Sequence, residues 1–399
     1  MKATNTSPTL AAALAAAALT GGLLVAGPLT PPNGPVASTY KTLADVEPRT
    51  ALSPAATPGN ATTTYIITQP GSYYLTANVD APAGGTAILI SASDVVLDLN
   101  GFKVSAVGGT SAIGIRSTSR VAVRNGSVVS DGFGVDLFGS HCRAEDLAVT
   151  SGALVALRVG LRGSVDRCTV ASDGTIAVQA GNYSRITDCI VAGGTGTGYS
   201  VNPGGYVSGC TASGSGTGFF LDLGSTAENC TAAACTADGF FLNRSIARSC
   251  IARNSVNDGF ESAGRSIIES CLAEGNTTAG FRMNGNGTLR NSVGNNNNVG
   301  FRSETGVGLQ IIDNEFSNNT SFGIYSNGMT NARIDGNQIY GNNAAPIFIT
   351  GSGGHLIVRN TFKNNNGAFP TDPSSDIAQV LTNPGNAFSS SNAWANIAY

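Results

Sequence analysis

Charged side chains are scarce in this chain, and this scarcity limits the partners it can have. Aspartate, glutamate, lysine and arginine make up 12% of the 399 residues, and the formal net charge is −3. Ordinary globular proteins carry about 25% charged residues. Nucleic acids and anionic membranes are bound through clustered lysine and arginine side chains. We therefore expect no nucleic-acid partner, and no membrane partner for the mature protein.

Metal-ligand patterns are also lacking. The chain has two histidines, His141 and His355, and its eight cysteines include no Cys-x-x-Cys pair. A zinc or similar site needs several Cys or His ligands at close spacing. The sequence therefore predicts no metal site and no cofactor.

Helical periodicity is missing too, and a different period takes its place. A cysteine recurs every 20 or 21 residues through the middle of the chain. The same register is continued by Asn100, Gly126 and Leu147 upstream and by Ser292, Asn314, Asn337 and Asn360 downstream. A fixed period of this length is typical of a solenoid, in which only stacking of the repeats buries a core. The recurring cysteines are Cys168, Cys189, Cys210, Cys230, Cys250 and Cys271.

A second landmark, a glycine followed by an apolar residue, identifies the kind of solenoid. Examples are Gly218-Phe219, Gly239-Phe240 and Gly259-Phe260, and the residue two positions further is often apolar again. This period of two predicts short strands with one buried face, and the intervening Asn and Gly clusters suit tight corners. Leucine-rich repeats share the period, but leucine is sparse here and helix formers are missing. We predict an all-β, right-handed parallel β-helix of about 13 coils, a rod on the order of 60 Å long.

The six recurring cysteines would then form one inward-facing ladder. Neighbours in such a ladder are about 4.8 Å apart, whereas the Cβ atoms of a disulfide are about 3.8 Å apart. We expect buried free thiols, although an exported protein with eight cysteines would ordinarily suggest disulfides.

The ends of the chain differ from the repeats. Lys2 precedes an uncharged run, Leu10 to Ala26, and then a Pro/Gly stretch, which is a signal-peptide layout. The run is shorter than the ~20 residues of a membrane span. We expect export, to the medium or the cell surface. The predicted segments are a signal peptide (1–38), a linker (39–64), N-terminal cap strands (65–84), the β-helix (85–369) and a C-terminal cap (370–399).

Four blocks carry a family resemblance. They are Pro35 to Arg49, the stretch ITQPGSYYLTANV that ends at Val79, the stretch VVLDLNGF that starts at Val95, and Trp394-Ala-Asn396. The chain resembles a large group of exported bacterial right-handed parallel β-helix proteins. The resemblance implies kinship with the pectate-lyase-like superfamily but supplies no catalytic motif. The acidic signatures of polygalacturonases and the Asp-Pro-His-Glu motif of mannuronan epimerases are missing, which argues against both activities.

The strands after the glycine predict a surface for a ligand, because alternate residues point outward. Outward aromatics beside charges and amides suit sugar rings and their hydroxyls. We predict that this face binds an extracellular polysaccharide, and a structural or adhesive rod without a ligand is the alternative. One predicted column reads Arg116, Asp136, Ser200, Phe220, Phe241, Glu261, Arg282, Arg302, Tyr325 and Phe348. A parallel column reads Asn202, Asp222, Asn243, Ala263, Asn284, Glu304, Asn327 and Thr350.

Catalysis is a further alternative on the same face. Glycoside hydrolysis needs two carboxylates about 5 to 9.5 Å apart, whereas Asp222 and Glu261 are predicted about 12 Å apart. A polysaccharide lyase would use Arg282 and Arg302 to neutralise a uronate and Tyr325 as the base. The competing interpretation is an ion-pair ladder in which Glu261 and Glu304 flank the two arginines. The near-uniform coils favour binding or structure over catalysis.

Overall fold

The structure is a computed structural model that describes residues 48–115, 118–152, 154–351, 353–368, 375–382 and 392–398. The predicted signal peptide, 1–38, and residues 39–47 of the predicted linker lie outside this range. All regular elements within the described residues are β-strands. The described part of the chain has no helix of the length and apolar character that crossing a bilayer would require.

The chain winds into a right-handed parallel β-helix with three sheet faces, as predicted. Strands of successive coils pair in parallel, so each sheet runs along the axis of the stack. Two long strands, Val121–Ser130 and Arg143–Ser151, continue from the first sheet into the second. The first sheet contains Thr50–Ala51, Gly71–Tyr74, Val95–Asp98, the first halves of the two long strands, Ser164–Asp166, Arg185–Thr187, Tyr206–Ser208, Thr226–Glu228, Ile246–Arg248, Ser266–Glu269, Gly287–Arg290, Gln310–Ile312, Arg333–Asp335, Leu356–Val358 and Asp376–Ile377.

The other two sheets complete each coil. The second sheet contains Val79–Asp80, Lys103–Ala106, the second halves of the two long strands, Thr169–Ser172, Ile190–Ala192, Thr211–Ser213, Thr231–Ala233, Ile251–Arg253, Leu272–Glu274, Val293–Asn295, Glu315–Ser317, Gln338–Tyr340, Thr361–Lys363, Asn396–Ala398 and Val380–Thr382. The third sheet contains Pro58–Asn60, Thr63–Ile67, Thr86–Ile90, Ser111–Ile115, Phe133–Leu137, Val155–Val159, Ile176–Ala180, Thr197–Val201, Phe219–Leu221, Phe240–Asn243, Phe260–Ala263, Ala279–Asn284, Val299–Ser303, Ile324–Asn327 and Ile347–Thr350.

Corners with left-handed backbone separate the strands. Between the first and second sheets, Gly209 has a φ of 64° and Asn229 a φ of 53°. Glycine adopts this region freely and asparagine tolerates it, so their recurrence in the sequence fixes where each coil bends. The strands are only a few residues long and alternate buried with partly exposed positions, as in Thr226–Glu228.

Aromatic rings stack along the inner side of the third sheet. Tyr199, Phe219, Phe240, Phe260 and Phe281 are fully buried, and successive ring centroids are 4.6 to 5.2 Å apart. This distance is close to the strand spacing, so each ring rests on the ring of the next coil. Each such contact contributes roughly 0.5–1.5 kcal/mol beyond the burial of area.

Two further columns of side chains line the inner corners. All eight cysteines are buried and none forms a disulfide in the structure. The first column, between the first and second sheets, contains Cys168, Cys189, Cys210, Cys230, Cys250, Cys271, Ser292, Asn314, Asn337, Asn360 and Asn396. The second column, between the second and third sheets, contains Ser215, Cys235, Ser255, Asn276, Asn297, Asn319, Asn342 and Asn365.

The stack is slightly longer than the predicted 13 coils, because fourteen of the fifteen third-sheet strands among the described residues pair in parallel, one in each coil. Residues 65–84, predicted as a cap, supply strands of the first coil, since Thr63–Ile67 and Gly71–Tyr74 pair in parallel with the coil that follows. Outside them lies Pro58–Asn60, which pairs antiparallel to Thr63–Ile67. In the predicted C-terminal cap, Asp376–Ile377 and Asn396–Ala398 add parallel strands to the first and second sheets.

Candidate functional site

The outer face of the third sheet brings most of the predicted column into one line. Consecutive members from Ser200 to Phe348 are direct pairing partners, coil after coil. Arg158 and Gln179 occupy the two coils between Asp136 and Ser200, for which no residue was predicted. At the N-terminal end Asp136 pairs with Gly114, and Arg116 lies outside the described residues.

An aromatic pair lies near the middle of this column. The rings of Phe220 and Phe241 stack with centroids 5.3 Å apart and planes 3° apart, and both side chains are partly exposed. Beside them the Asn243 amide donates a hydrogen bond of 2.8 Å to Asp222 Oδ1. The pair therefore offers a flat apolar surface with an amide and a carboxylate at its edge.

The C-terminal end of the column is an aromatic trio. The Phe322 centroid lies 5.3 Å from that of Tyr325 and 5.2 Å from that of Phe348, and Tyr325 stacks on Phe348 at 5.9 Å. Phe348 is 40% exposed. Phe322 was not predicted because it precedes Gly323, outside the alternating strand pattern. The guanidinium of Arg302 lies over the Tyr325 ring at 5.9 Å.

A network of ion pairs occupies the space between the aromatic groups. Arg282 lies 3.4 Å from carboxylate oxygens of both Glu261 and Glu304, and Arg302 donates a hydrogen bond to Glu304. Glu304 therefore bridges the two arginines. The lyase hypothesis needs guanidinium groups free to neutralise a uronate, whereas both of these already contact carboxylates.

Two further carboxyl groups join the network, and neither was predicted from the sequence. Oxygens of Asp238, Asp258 and Glu261 lie within 4.8 Å of one another. Asp258 accepts a hydrogen bond of 3.0 Å from the backbone N–H of Ala279, and its Oδ2 lies 3.5 Å from Arg282. The available signal was the repeat Asp-Gly-Phe in two successive coils, starting at Asp238 and Asp258.

Burial changes the protonation of this cluster. Burial and then the neighbouring Asp238 raise the pKa of Asp258 to about 7, although Arg282 acts in the opposite direction. Burial is also the main cause that raises the pKa of Asp238 and of Glu261. Closely spaced carboxyl groups cannot all ionise easily, so the cluster retains protons at pH values where isolated carboxyl groups have lost them.

Comparisons with known proteins agree with the architecture. A family model described as periplasmic copper-binding protein (NosD) matches residues 259–397, about a third of the chain. No curated protein matches significantly. The chain is a parallel β-helix repeat protein.

Similar solved structures share little sequence with the chain. The A-module of mannuronan C-5 epimerase AlgE6 from Azotobacter vinelandii has 15% identity and a TM-score of 0.44, over 79% of this chain and 92% of that one. A double mutant of the tailspike protein of E. coli bacteriophage HK620 has 13% identity and a TM-score of 0.49, over 82% and 72%. A mannuronic acid-specific family 6 polysaccharide lyase from human gut microbiota has 12% identity and a TM-score of 0.43, over 73% and 86%.

The described residues of the matched segment do not offer a copper site. Its soft donors among the described residues are Cys271, Met283, Met329 and His355, and all four are buried in the stack. Within the described part of the chain, the one group of His, Cys, Asp and Glu at ligand distance is the all-carboxyl cluster of Asp238, Asp258 and Glu261. Carboxylate oxygens suit hard cations, whereas copper sites use imidazole and sulfur ligands.

Proposed function

We propose that the outer face of the third sheet binds a neutral extracellular polysaccharide, laid along the axis of the stack. The observation that carries this proposal is the pair of aromatic surfaces, Phe220–Phe241 and Phe322–Tyr325–Phe348, in one outward column. Partly exposed aromatics grouped on one face are typical of a surface that binds a ligand.

The distance between the two aromatic surfaces supports an extended ligand. Phe241 and Tyr325 are four coils apart in the column, which is about 19 Å at the strand spacing. An oligosaccharide of a few rings spans this length and stacks its apolar ring faces on both aromatic surfaces. A single small molecule would reach only one of them.

The charges between the aromatics favour a neutral glycan over an acidic one. Two arginines, Arg282 and Arg302, face the carboxyl groups of Asp238, Asp258, Glu261 and Glu304. An added uronate would meet guanidinium donors that already contact carboxylates, and a surplus of carboxyl groups. Sugar hydroxyls, in contrast, donate to carboxylates and accept from the guanidinium groups.

A function in binding also agrees with a location outside the cytoplasm. The matching family model describes a periplasmic protein, and extracellular polysaccharides are met only after export. The protein then serves as a surface that holds glycan, with no turnover required.

Affinity electrophoresis in gels containing dextran, galactomannan or xylan tests this proposal. We expect at least one of these neutral glycans to retard the protein, and Phe241→Ala or Phe348→Ala to weaken binding about tenfold through lost stacking. The matched control is Ile190→Ala on the second sheet, where an exposed apolar side chain is removed far from the column.

Two results would overturn the proposal. If none of the glycans retards the protein, the stack is a structural rod. If the protein releases unsaturated product from a polyuronate and Tyr325→Phe abolishes the release while sparing the fold, the face is a lyase site.

A further inference from the structure

A separate groove lies on the outer face of the first sheet, toward the N-terminal end of the stack. Val96 and Ala122 are pairing partners and form its apolar floor, with Arg120, His141 and Arg143 around them. The groove encloses about 500 Å³. It shares no residue with the third-sheet site.

The groove continues along the same outward column. Arg143 pairs with Ser164, Ser164 pairs with Arg185, and Arg185 pairs with Tyr206. Arg143 and Arg185 are therefore two coils apart, about 10 Å at the strand spacing. The small Ser164 lies between them and leaves room for a ligand group.

The corner beside this column carries large polar side chains on strained backbone. Arg120, His141, Arg162 and Tyr183 have φ values of 57°, 58°, 53° and 56°. Backbone hydrogen bonds continue the same corner coil by coil to Gly204, which has a φ of 70°. Glycine adopts this conformation without strain, so the backbone turn itself does not require long side chains at these positions.

Arg120 is paired with Asp94, but Arg143, Arg162 and Arg185 differ from most arginines of the protein in their partners. Arginines elsewhere, such as Arg167 and Arg290, contact carboxylates of neighbouring coils. Within the described residues, no carboxylate lies at ion-pair distance from Arg143, Arg162 or Arg185.

The surroundings of the three arginines leave them open to a ligand. The Arg185 guanidinium lies over the Tyr206 ring at 4.8 Å, which fixes it without neutralising it. The adjacent carboxylate of Asp166 is bonded to Arg167 and Thr187.

We propose that this groove binds an acidic polysaccharide, with Arg143, Arg162 and Arg185 contacting carboxylate or sulfate groups. A guanidinium pairs with such oxyanions through two parallel hydrogen bonds. A sugar ring packs its apolar face on Val96 and Ala122, a contact that a free inorganic ion does not make. The alternation of charged and small residues along the column suits a polymer with regularly spaced anionic groups.

Isothermal titration of the full chain with polygalacturonate tests the proposal. We expect binding that weakens as salt is added, because exposed charge pairs are screened. The triple variant R143Q/R162Q/R185Q should reduce affinity about tenfold or more. Arg265→Gln removes an exposed arginine that also has no described carboxylate partner, and it should leave binding unchanged. Thermal unfolding of both variants checks that the fold is intact.

Two further measurements distinguish this groove from the third-sheet site and from a site that binds any polyanion. Phe241→Ala should leave polygalacturonate binding unchanged, so the groove and the third-sheet site succeed or fail independently. Unchanged polygalacturonate binding by the folded triple variant would overturn the proposal. So would single-stranded DNA of equal charge that binds as tightly and displaces polygalacturonate, because the apolar floor would then confer no preference for sugar.

Discussion

The first column contains cysteines in the middle coils and asparagines in the C-terminal coils. Both kinds of side chain accept a hydrogen bond from a backbone N–H of the preceding coil. In both regions the residue of the first column uses its backbone N–H to bond the side chain of the next coil. In the middle coils the acceptor is sulfur, as where Cys189 N–H donates to Cys210 Sγ at 3.4 Å. In the C-terminal coils it is an amide oxygen, as where Asn314 N–H donates to Asn337 Oδ1 at 3.0 Å.

The amide does more at this position than the thiol. Asn337 Oδ1 also accepts from the Asn314 side chain at 3.1 Å, and its own Nδ2 donates to Ile311 O and to Asn360 Oδ1, both at 2.9 Å. An asparagine thus satisfies donors and acceptor together, whereas a thiol is a weak donor and a weak acceptor. The middle coils depend instead on apolar contacts, including the stacked rings from Tyr199 to Phe281.

A second contrast involves two carboxyl groups whose side chains are each 1% exposed. In the middle coils, burial and Asp238 raise the pKa of Asp258. In the C-terminal coils, burial opposes ionisation of Asp335, but hydrogen bonds from Arg359 and Arg333 outweigh it and lower the pKa. Burial alone therefore does not decide protonation, because the partners that the stack supplies reverse its effect.

The largest effect should come from removing one amide of the first column. Asn337→Ala removes the acceptor of the Asn314 backbone N–H and three further side-chain hydrogen bonds, so we expect a loss of about 3 kcal/mol in the free energy of unfolding. Chemical denaturation measures it, and Asn343→Ala, at an exposed asparagine of the neighbouring strand region, should have little effect. Equal losses for both variants would mean that the column contributes nothing beyond local packing.

The sequence predicted the structural features that follow from the repeat period. The fold, the first column from Cys168 to Asn360 and the outward line from Phe220 to Phe348 all follow from residues that repeat once per coil. The sequence did not predict which side chains form ion pairs along that line, because the partners of a long side chain depend on its rotamer. Asp238 and Asp258 were not predicted because they precede the strand, where the alternation of buried and exposed residues does not indicate which way a side chain points. At the N-terminal end Asp136 pairs with Gly114, and the predicted Arg116 lies outside the described residues.

An intermediate effect should appear in the pH dependence of stability. The folded-state pKa of Asp258 is about 7, against an ordinary value of 3.8, so the folded protein holds a proton that the unfolded chain loses between these values. The free energy of unfolding should therefore fall as pH rises from about 4 to about 7 and then level off. Asp258→Asn should flatten this decline in thermal melts recorded across the range.

Asp335→Asn is the matched control for that experiment. Its depressed pKa stabilises the folded protein above the ordinary range of a carboxyl group, so the substitution should lower stability at neutral pH. If Asp258→Asn also lowers stability at neutral pH and leaves the decline unchanged, the raised pKa of Asp258 is refuted.

The smallest effect should come from the sulfur positions. Cys210→Ala removes a weak hydrogen-bonding partner and opens a small cavity, for which we expect a loss of about 1 kcal/mol. Burial raises the pKa of Cys235 to about 11 and also raises the pKa of Cys250, so few thiols should react in the native protein. Thiol titration should therefore find few groups before denaturation and eight after it, and disulfides among the six recurring cysteines would contradict the ladder.

The direction of the asparagine columns has a consequence for the order of folding. Each asparagine donates toward the coil that follows it in the chain, from Asn314 to Asn337, from Asn337 to Asn360 and from Asn360 to Asn396. The column asparagine of a newly formed coil therefore lacks its acceptor until the next coil docks. Docking of that coil completes these hydrogen bonds. We expect growth from the N-terminus to be templated in this way, and Asn396, which donates back to Ala378 O and Ile357 O, is the last member of the series.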